Sequence, residues 1–241
     1  MTSGIINYIC DQYGISNYSI NEDMSVSVDG DVFLYKMDLI EIPIKFKKVS
    51  GYFDCSCNGL TSLINSPIEV LGSFNCSNNN LRSLKHCPEY VGGNFQCINN
   101  KNGLSSLKNC PKYVGKDFLC GYNKLPSLEG IGSIDGHLVC DGNDLTSFRG
   151  CHDLICNIYC HRNNITSFEG LSEFFEQTIN LSNNPLDEIY SLFKDPRCIY
   201  YLKEYDVIRN MTIVQDRLEE VFYTLNMEVP NYFNLKNYKL V

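Results

Sequence analysis

The side chains in this sequence best suited to chemistry are its thirteen cysteines and four histidines. A thiolate can attack an electrophile or hold zinc, and an imidazole can ligate a metal or move protons near neutral pH. They are densest at His152-x-x-x-Cys156-x-x-x-Cys160-His161, and Cys55-x-Cys57 and His86-Cys87 add further donors. That density suggests a zinc site. Spacing suggests something else. Cys55, Cys76, Cys97, Cys120, Cys140 and Cys160 recur at intervals of 21, 21, 23, 20 and 20 residues. Cys87, Cys110 and Cys151 form a second column eleven residues behind the first, once Lys101-Asn102 are taken as an insertion. A packed repeat needs periodic placement and a single tetrahedral zinc does not. The expectation is a ladder of structural thiols with no metal and no cofactor. Catalysis has no constellation to carry it: no serine or cysteine nucleophile motif accompanies the histidines, and no glycine-rich phosphate loop follows a strand. Ser62, Ser83, Ser106 and Ser127 repeat with the architecture. The chain is expected not to be an enzyme.

The elements that must position these residues follow from the same period. Two residues before each ladder cysteine stand Phe53, Phe74, Phe95, Phe118, Leu138 and Ile158. Six before it stand Val49, Val70, Val91, Val114, Ile134 and Leu154. Three after it comes an asparagine every time: Asn58, Asn79, Asn100, Asn123, Asn143 and Asn163. Leucine, isoleucine or phenylalanine fills the fifth and eighth places after it, from Leu60 and Leu63 to Ile165 and Phe168. Apolar residues two apart predict short strands with one buried face, so Phe53 and Cys55 point in while Asp54 and Ser56 point out. Stacked copies are expected to form one continuous parallel sheet. Asparagine amides are expected to satisfy backbone groups in the turns after it. Pro67, Pro88 and Pro111 favour extended backbone over helix in the return segment. Degenerate repeats flank the set, with Leu34 and Leu181 in the cysteine place.

These columns resemble the leucine-rich repeat, L-x-x-L-x-L-x-x-N-x-L, over roughly residues 28 to 190. Phe53-x-Cys55-x-x-Asn58-x-Leu60 and Phe74-x-Cys76-x-x-Asn79-x-Leu81 carry the likeness, although the first apolar residue sits six rather than five places before the cysteine. The fuller wording Val-x-Gly-x-Phe-x-Cys-x-x-Asn-x-Leu-x-Ser-Leu-x-x-x-Pro is similar to repeats in proteins of large DNA viruses and bacteriophages, and to the short repeats of bacterial effectors. Tyr18 to Asp23, followed by Val28-Asp29-Gly30-Asp31-Val32, resembles the lead-in of the viral group. The resemblance implies a leucine-rich-repeat solenoid, α/β in class and rich in strand. It has a curved parallel sheet on the concave side, a mostly irregular or extended convex side, and helical caps at both ends. It also implies an intracellular viral product.

Solenoids need caps because their end repeats would otherwise expose core. Ile5, Ile6, Tyr8, Ile9 and Tyr13 suit a short helix ended by Gly14. Leu186, Ile189, Tyr190 and Phe193 suit a second, and residues 199–208 a third. Residues 213–225 suit an amphipathic fourth with Thr212 as N-cap. The expected organisation is a cap and lead-in over 1–27, a solenoid of about eight repeats over 28–190, and a helical cap over 191–241.

On the concave face the outward residues just before the cysteine turn apolar at Leu119, Val139 and Tyr159, three strands in a row. Tyr122, His137, His161 and Arg162 are expected to border them. Such a rimmed patch suits protein recognition, although strand propensity alone also places tyrosine and valine on a sheet. Net charge is -8 and no run of lysine and arginine occurs, so nucleic acid and anionic membrane are not the expected partners. No stretch approaches the roughly 18 apolar residues of a membrane span. The residues after Met1 lack a charged region followed by an apolar run, and abundant cysteine without such a signal fits a reducing cytoplasm. The reading is a non-catalytic protein-binding module, monomeric and cytoplasmic. Two alternatives stay open: an assembly protein that self-associates, and an effector-like enzyme or recruiter acting through residues 190–241.

Overall fold

Each period folds into one coil of a parallel β-solenoid. The computed structural model describes residues 1–100, 103–151, 154, 156–172, 175, 177–193, 195–231 and 233–241. Lys101, Asn102 and His152 therefore lie outside the described residues. The chain opens with α1 (Ser3–Gln12), β1 (Tyr18–Ile20), β2 (Val26–Val28) and β3 (Val32–Phe33). Five coils then contribute two strands each: β4 (Phe46–Val49) and β5 (Phe53–Asp54), β6 (Glu69–Val70) and β7 (Phe74–Asn75), β8 (Tyr90–Val91) and β9 (Phe95–Gln96), β10 (Tyr113–Val114) and β11 (Phe118–Leu119), β12 (Ser133–Ile134) and β13 (Leu138–Val139). Among the described residues the next two coils contribute β14 (Ile158–Tyr159) and β15 (Ile179–Asn180).

One sheet was expected and two are found. The valine column builds a seven-stranded sheet, β1-β2-β4-β6-β8-β10-β12, and the phenylalanine column an eight-stranded one, β15-β14-β13-β11-β9-β7-β5-β3. All neighbours are parallel except β1 on β2. Between the two columns the chain turns a corner where successive coils lie backbone on backbone. A Cβ on Gly72 would stand 2.4 Å from the Gly51 carbonyl oxygen, closer than a side chain permits. From the cysteine onward each coil returns through turns and irregular backbone.

The interior is filled by the columns. Phe53, Phe74, Phe95 and Phe118 are fully buried. Their rings stack at 5.5, 5.8 and 5.0 Å between centroids, the first two pairs almost parallel. All thirteen cysteines are free, and twelve are buried with Cys57 half-exposed. Cys156 and Cys160, from the densest part of the zinc reading, are among the buried ones. Asp54 and Ser56 lie on the outer face but are shielded. Tyr52 Oη donates to Asp54 Oδ2 at 3.0 Å, and Ser56 N donates to Asp54 Oδ1 at 2.9 Å.

The asparagine column works between coils. Leu60 N–H donates to Asn79 Oδ1 at 3.0 Å, and Asn79 Nδ2 donates to the carbonyls of Cys55 and Cys76 at 3.0 and 3.2 Å. Asn143 repeats this with Leu125 N, Cys120 O and Cys140 O, and Asn163 with Leu145 N, Cys140 O and Cys160 O. These amides do not pair with one another. Each ties its own strand end to the backbone of the coil before it.

The ends differ from expectation in detail. In α1 it is Ile6 and Cys10 that are buried, while Ile5 and Tyr8 are exposed and Gly14 takes φ +64°. After β15 come α2 (Asp187–Phe193), α3 (Cys198–Glu204), β16 (Ile208–Arg209), β17 (Thr212–Ile213), α4 (Gln215–Thr224) and β18 (Lys239–Leu240). The third helix stops short of Ile208, and Thr212 and Ile213 are strand. Val214 occupies the N-cap position of α4, with no side-chain cap bond. Asn210 and Met211 both have positive φ, 44° and 61°, so β16 and β17 close as a tight hairpin. Parallel β18 completes a three-stranded sheet. The tail is mixed, not purely helical. No helix among the described residues is long and apolar enough to cross a membrane.

Two predictions follow from this core. Phe95→Ala removes the middle of the ring stack and should destabilise by about 3–5 kcal/mol in chemical denaturation; an unshifted midpoint would place Phe95 outside the core. Burial raises the thiols above their ordinary value, Cys110 to about 11 and Cys160 to about 12, with Cys76, Cys97 and Cys140 well above 9.0. The fold therefore holds protons that the unfolded chain releases. This contribution is fully present below about pH 8.5 and is lost as pH rises through the raised values, by about 1.4 kcal/mol per pH unit for each thiol. The urea midpoint should drop steeply between about pH 8 and 10, and replacing Cys76 and Cys97 with alanine should flatten the drop. A midpoint level across that window would contradict thiol burial.

Candidate functional site

The eight-stranded sheet turns its alternate residues outward, and parallel register brings them side by side. Leu119 pairs with Val139 and Val139 with Tyr159. Their neighbours Phe118, Leu138 and Ile158 fill the core, while these three are half-buried on the outer surface. The coils before them carry polar residues here that bond one another: Asn75 Nδ2 donates to Tyr52 Oη at 3.1 Å, and Ser77 N to Asn75 Oδ1 at 3.0 Å. The apolar change at Leu119 is thus a change of surface.

Four further residues were expected at its border. At the start of the strands exposed His137 sets its ring edge-on to Tyr159, with centroids 5.8 Å apart. Asn157 Nδ2 lies 3.4 Å from His137 Nδ1. Past the strands half-buried His161 places Nε2 3.5 Å from Oδ2 of buried Asp141. Tyr122 and Arg162 stand two residues after their ladder cysteines. Register sets Leu119, Val139 and Tyr159 in one row with His137 against Tyr159, while Arg162 meets Tyr122 and His161 meets Asp141.

Tyr122 and Arg162 have a backbone that tyrosine and arginine disfavour. The coil turns at this column through left-handed conformation: φ is 54° at Lys36, 55° at Cys57, 55° at Asn78, 51° at Asn99, 55° at Tyr122, 62° at Gly142, 56° at Arg162 and 60° at Asn183. Asparagine and glycine adopt it readily; a longer side chain costs about 1–2 kcal/mol there. The two strained residues meet across the coil between them. A Cβ on Gly142 would stand 2.9 Å from the Tyr122 ring, so the absence of one lets the ring lie over that coil. Arg162 Nη1 then donates to Tyr122 Oη at 3.4 Å, and Tyr122 remains 48% exposed.

Chemically this surface offers an apolar strip, two phenols, a guanidinium and two imidazoles. The thiols beneath it, Cys120, Cys140 and Cys160, face inward, and burial holds them protonated. Among the described residues no three histidine, cysteine, aspartate or glutamate side chains stand together as a metal would need. Periodicity did not reveal a second polar ladder three residues before the cysteine. There Asn94 Oδ1 accepts Asp117 N at 3.1 Å, Asp117 Oδ1 accepts His137 N at 2.9 Å, and Asn157 Oδ1 accepts Thr178 N at 3.0 Å. The signal was the recurrence of aspartate and asparagine at Asp31, Asn94, Asp117 and Asn157.

Comparison with protein-family models, with curated proteins and with solved structures finds no match.

Strain at Tyr122 is testable apart from any partner. Tyr122→Asn restores a residue type the column accepts, and should raise stability by about 0.5–1 kcal/mol in denaturant titration. A loss of more than about 1 kcal/mol would show the ring to be held for folding and not for contact.

Proposed function

We propose that this protein is a non-catalytic leucine-rich-repeat solenoid working as an intracellular protein-interaction module, of the kind large DNA viruses and bacteriophages encode. Its terminal helices cap the stack. A protein partner docks on the eight-stranded sheet, seated on Leu119, Val139 and Tyr159 and anchored by Tyr122, Arg162 and the two histidines. The observation that carries this reading is the Tyr122–Arg162 pair. Lys36 and Cys57 share the left-handed backbone of this column, so what sets Tyr122 and Arg162 apart is that their side chains meet across a glycine; strained backbone of this kind clusters at binding sites. Tyrosine and arginine are also among the residues that dominate interface energetics. The repeat columns support the leucine-rich-repeat assignment, and the thiol-rich core suits a reducing cytoplasm.

The test is a quantitative binding assay on a partner captured from expressing cells. Tyr159→Ala combined with Arg162→Ala should weaken that partner by about thirtyfold or more, as loss of hot-spot contacts does, with an unchanged melting curve. Unaltered affinity would remove this surface from the interface.

A further inference from the structure

The two sheets begin differently. The seven-stranded sheet is closed at its first edge by β1, which folds back antiparallel on β2. The eight-stranded sheet begins at β3, which among the described residues pairs only with β5. Val32 N and Leu34 N donate to Tyr52 O and Asp54 O, and the coil-to-coil bonding runs on to Lys36 N and Ser56 O. Alternation along the strand therefore turns the N–H and C=O groups of Asp31, Phe33 and Tyr35 toward the free edge. Natural edges are usually blunted by charge, proline or a covering segment. This one carries Phe33 at 53% exposure, Tyr35 at 50% and, past the left-handed turn at Lys36, Met37 at 40%.

We propose that β3 is a self-association edge, and that its occupant is a second copy of this chain paired antiparallel about a two-fold axis through Phe33. Phase and side-chain chemistry both suit the axis. Placing Phe33 opposite its own copy makes a hydrogen-bonded pair, in which the two residues exchange both backbone bonds. The same register sets Asp31 opposite Tyr35 of the second copy, and Tyr35 opposite its Asp31. Asp31 Oδ1 already accepts Tyr52 N at 2.7 Å, so Oδ2 is the atom that would meet the tyrosine hydroxyl. The chain uses phenol–carboxylate pairs of this kind elsewhere, at Tyr52 with Asp54 and at Tyr113 with Asp135. Phe33 and Met37 of both copies would close over the outer face.

The far end of the sheet argues for a closed pair over a head-to-tail stack. On β15 and its flanks the outward residues are Thr178, Asn180 and Ser182, and Asn180 Oδ1 is already bonded to Ser182. An open stack needs complementary ends, and among the described residues this end offers no apolar counterpart to Phe33 and Met37.

The test uses the full chain. Light scattering and sedimentation across a wide concentration series should give a mass of twice 27.5 kDa, falling to the single-chain mass in Phe33→Lys with an unchanged melting curve. In a Cys57→Ser background, Phe33→Cys should form a reducible covalent dimer on mild oxidation, because hydrogen-bonded partners across the axis stand about 5.5 Å apart at Cα, within disulfide range. Tyr122→Cys in that background should not. The crosslink decides if Phe33→Lys fails to fold. A single-chain mass at every concentration, leaving the edge to another protein's strand, would overturn the proposal. So would a mass that grows without limit, or a dimer that survives Phe33→Lys with no crosslink through position 33.

Discussion

The fold depends on an amide that bonds backwards. In coil after coil, as at Asn79 and Asn143, the ladder asparagine accepts an N–H from the preceding coil and donates to carbonyls of that coil and its own. Buried backbone groups left unpaired would cost about 1–3 kcal/mol each; in the turn some bond coil to coil, as Cys57 N does to Ser77 O, and others, such as Leu60 N, bond the asparagine. Asparagine is the residue that can meet both needs from one short side chain, with an acceptor and two donors. The parallel backbone ladder sets the distance between coils, and the amide adds bonds across the same gap. The phenyl rings stack near that spacing. Between ring and turn the coils carry a buried cysteine, small, apolar and tolerant of burial, or a buried leucine at Leu34 and Leu181.

The sequence displays what side chains impose and hides what backbones impose. The period, the phenylalanine and cysteine columns and the asparagines were readable because each is a side-chain requirement repeated in every coil. Leu34 and Leu181 were readable as degenerate copies for the same reason. The corner that divides the sheet was not, although glycine recurs there, because only folded coils show that a Cβ at Gly72 would strike the backbone beneath. Shielding of Asp54 was hidden too, since it depends on Tyr52 folding over it. In the tail the hairpin at Asn210-Met211 lacks the glycine that usually signals such a turn, and residues 208–213 had enough apolar character to look helical.

The candidate site shows the same division. Leu119, Val139 and Tyr159 could be placed in one row because register follows from the period. That Tyr122 touches Arg162 could not, because it needs Gly142 to be bare and both neighbours to sit in left-handed backbone. A partial clue was nonetheless present: Asn78, Asn99, Gly142 and Asn183 occupy the same column and accept positive φ, although Lys36 and Cys57 stand there too. Residues that break a column's local rule are where function is best sought.

A solenoid is well suited to carrying such breaks. Each coil touches only its neighbours, so its stability is nearly a sum of local terms, and strain at Arg162 is borne by the coils around it. The amide bonds of Asn143 and Asn163 hold those coils in place whatever occupies the next position. The chain can therefore exchange asparagine for tyrosine or arginine at the turn, at a local cost of about 1–2 kcal/mol, and leave β3 and its free edge, several coils away, untouched. The regular interior is what permits an irregular surface, because a fold secured from within by one repeated amide leaves its outward columns free to vary.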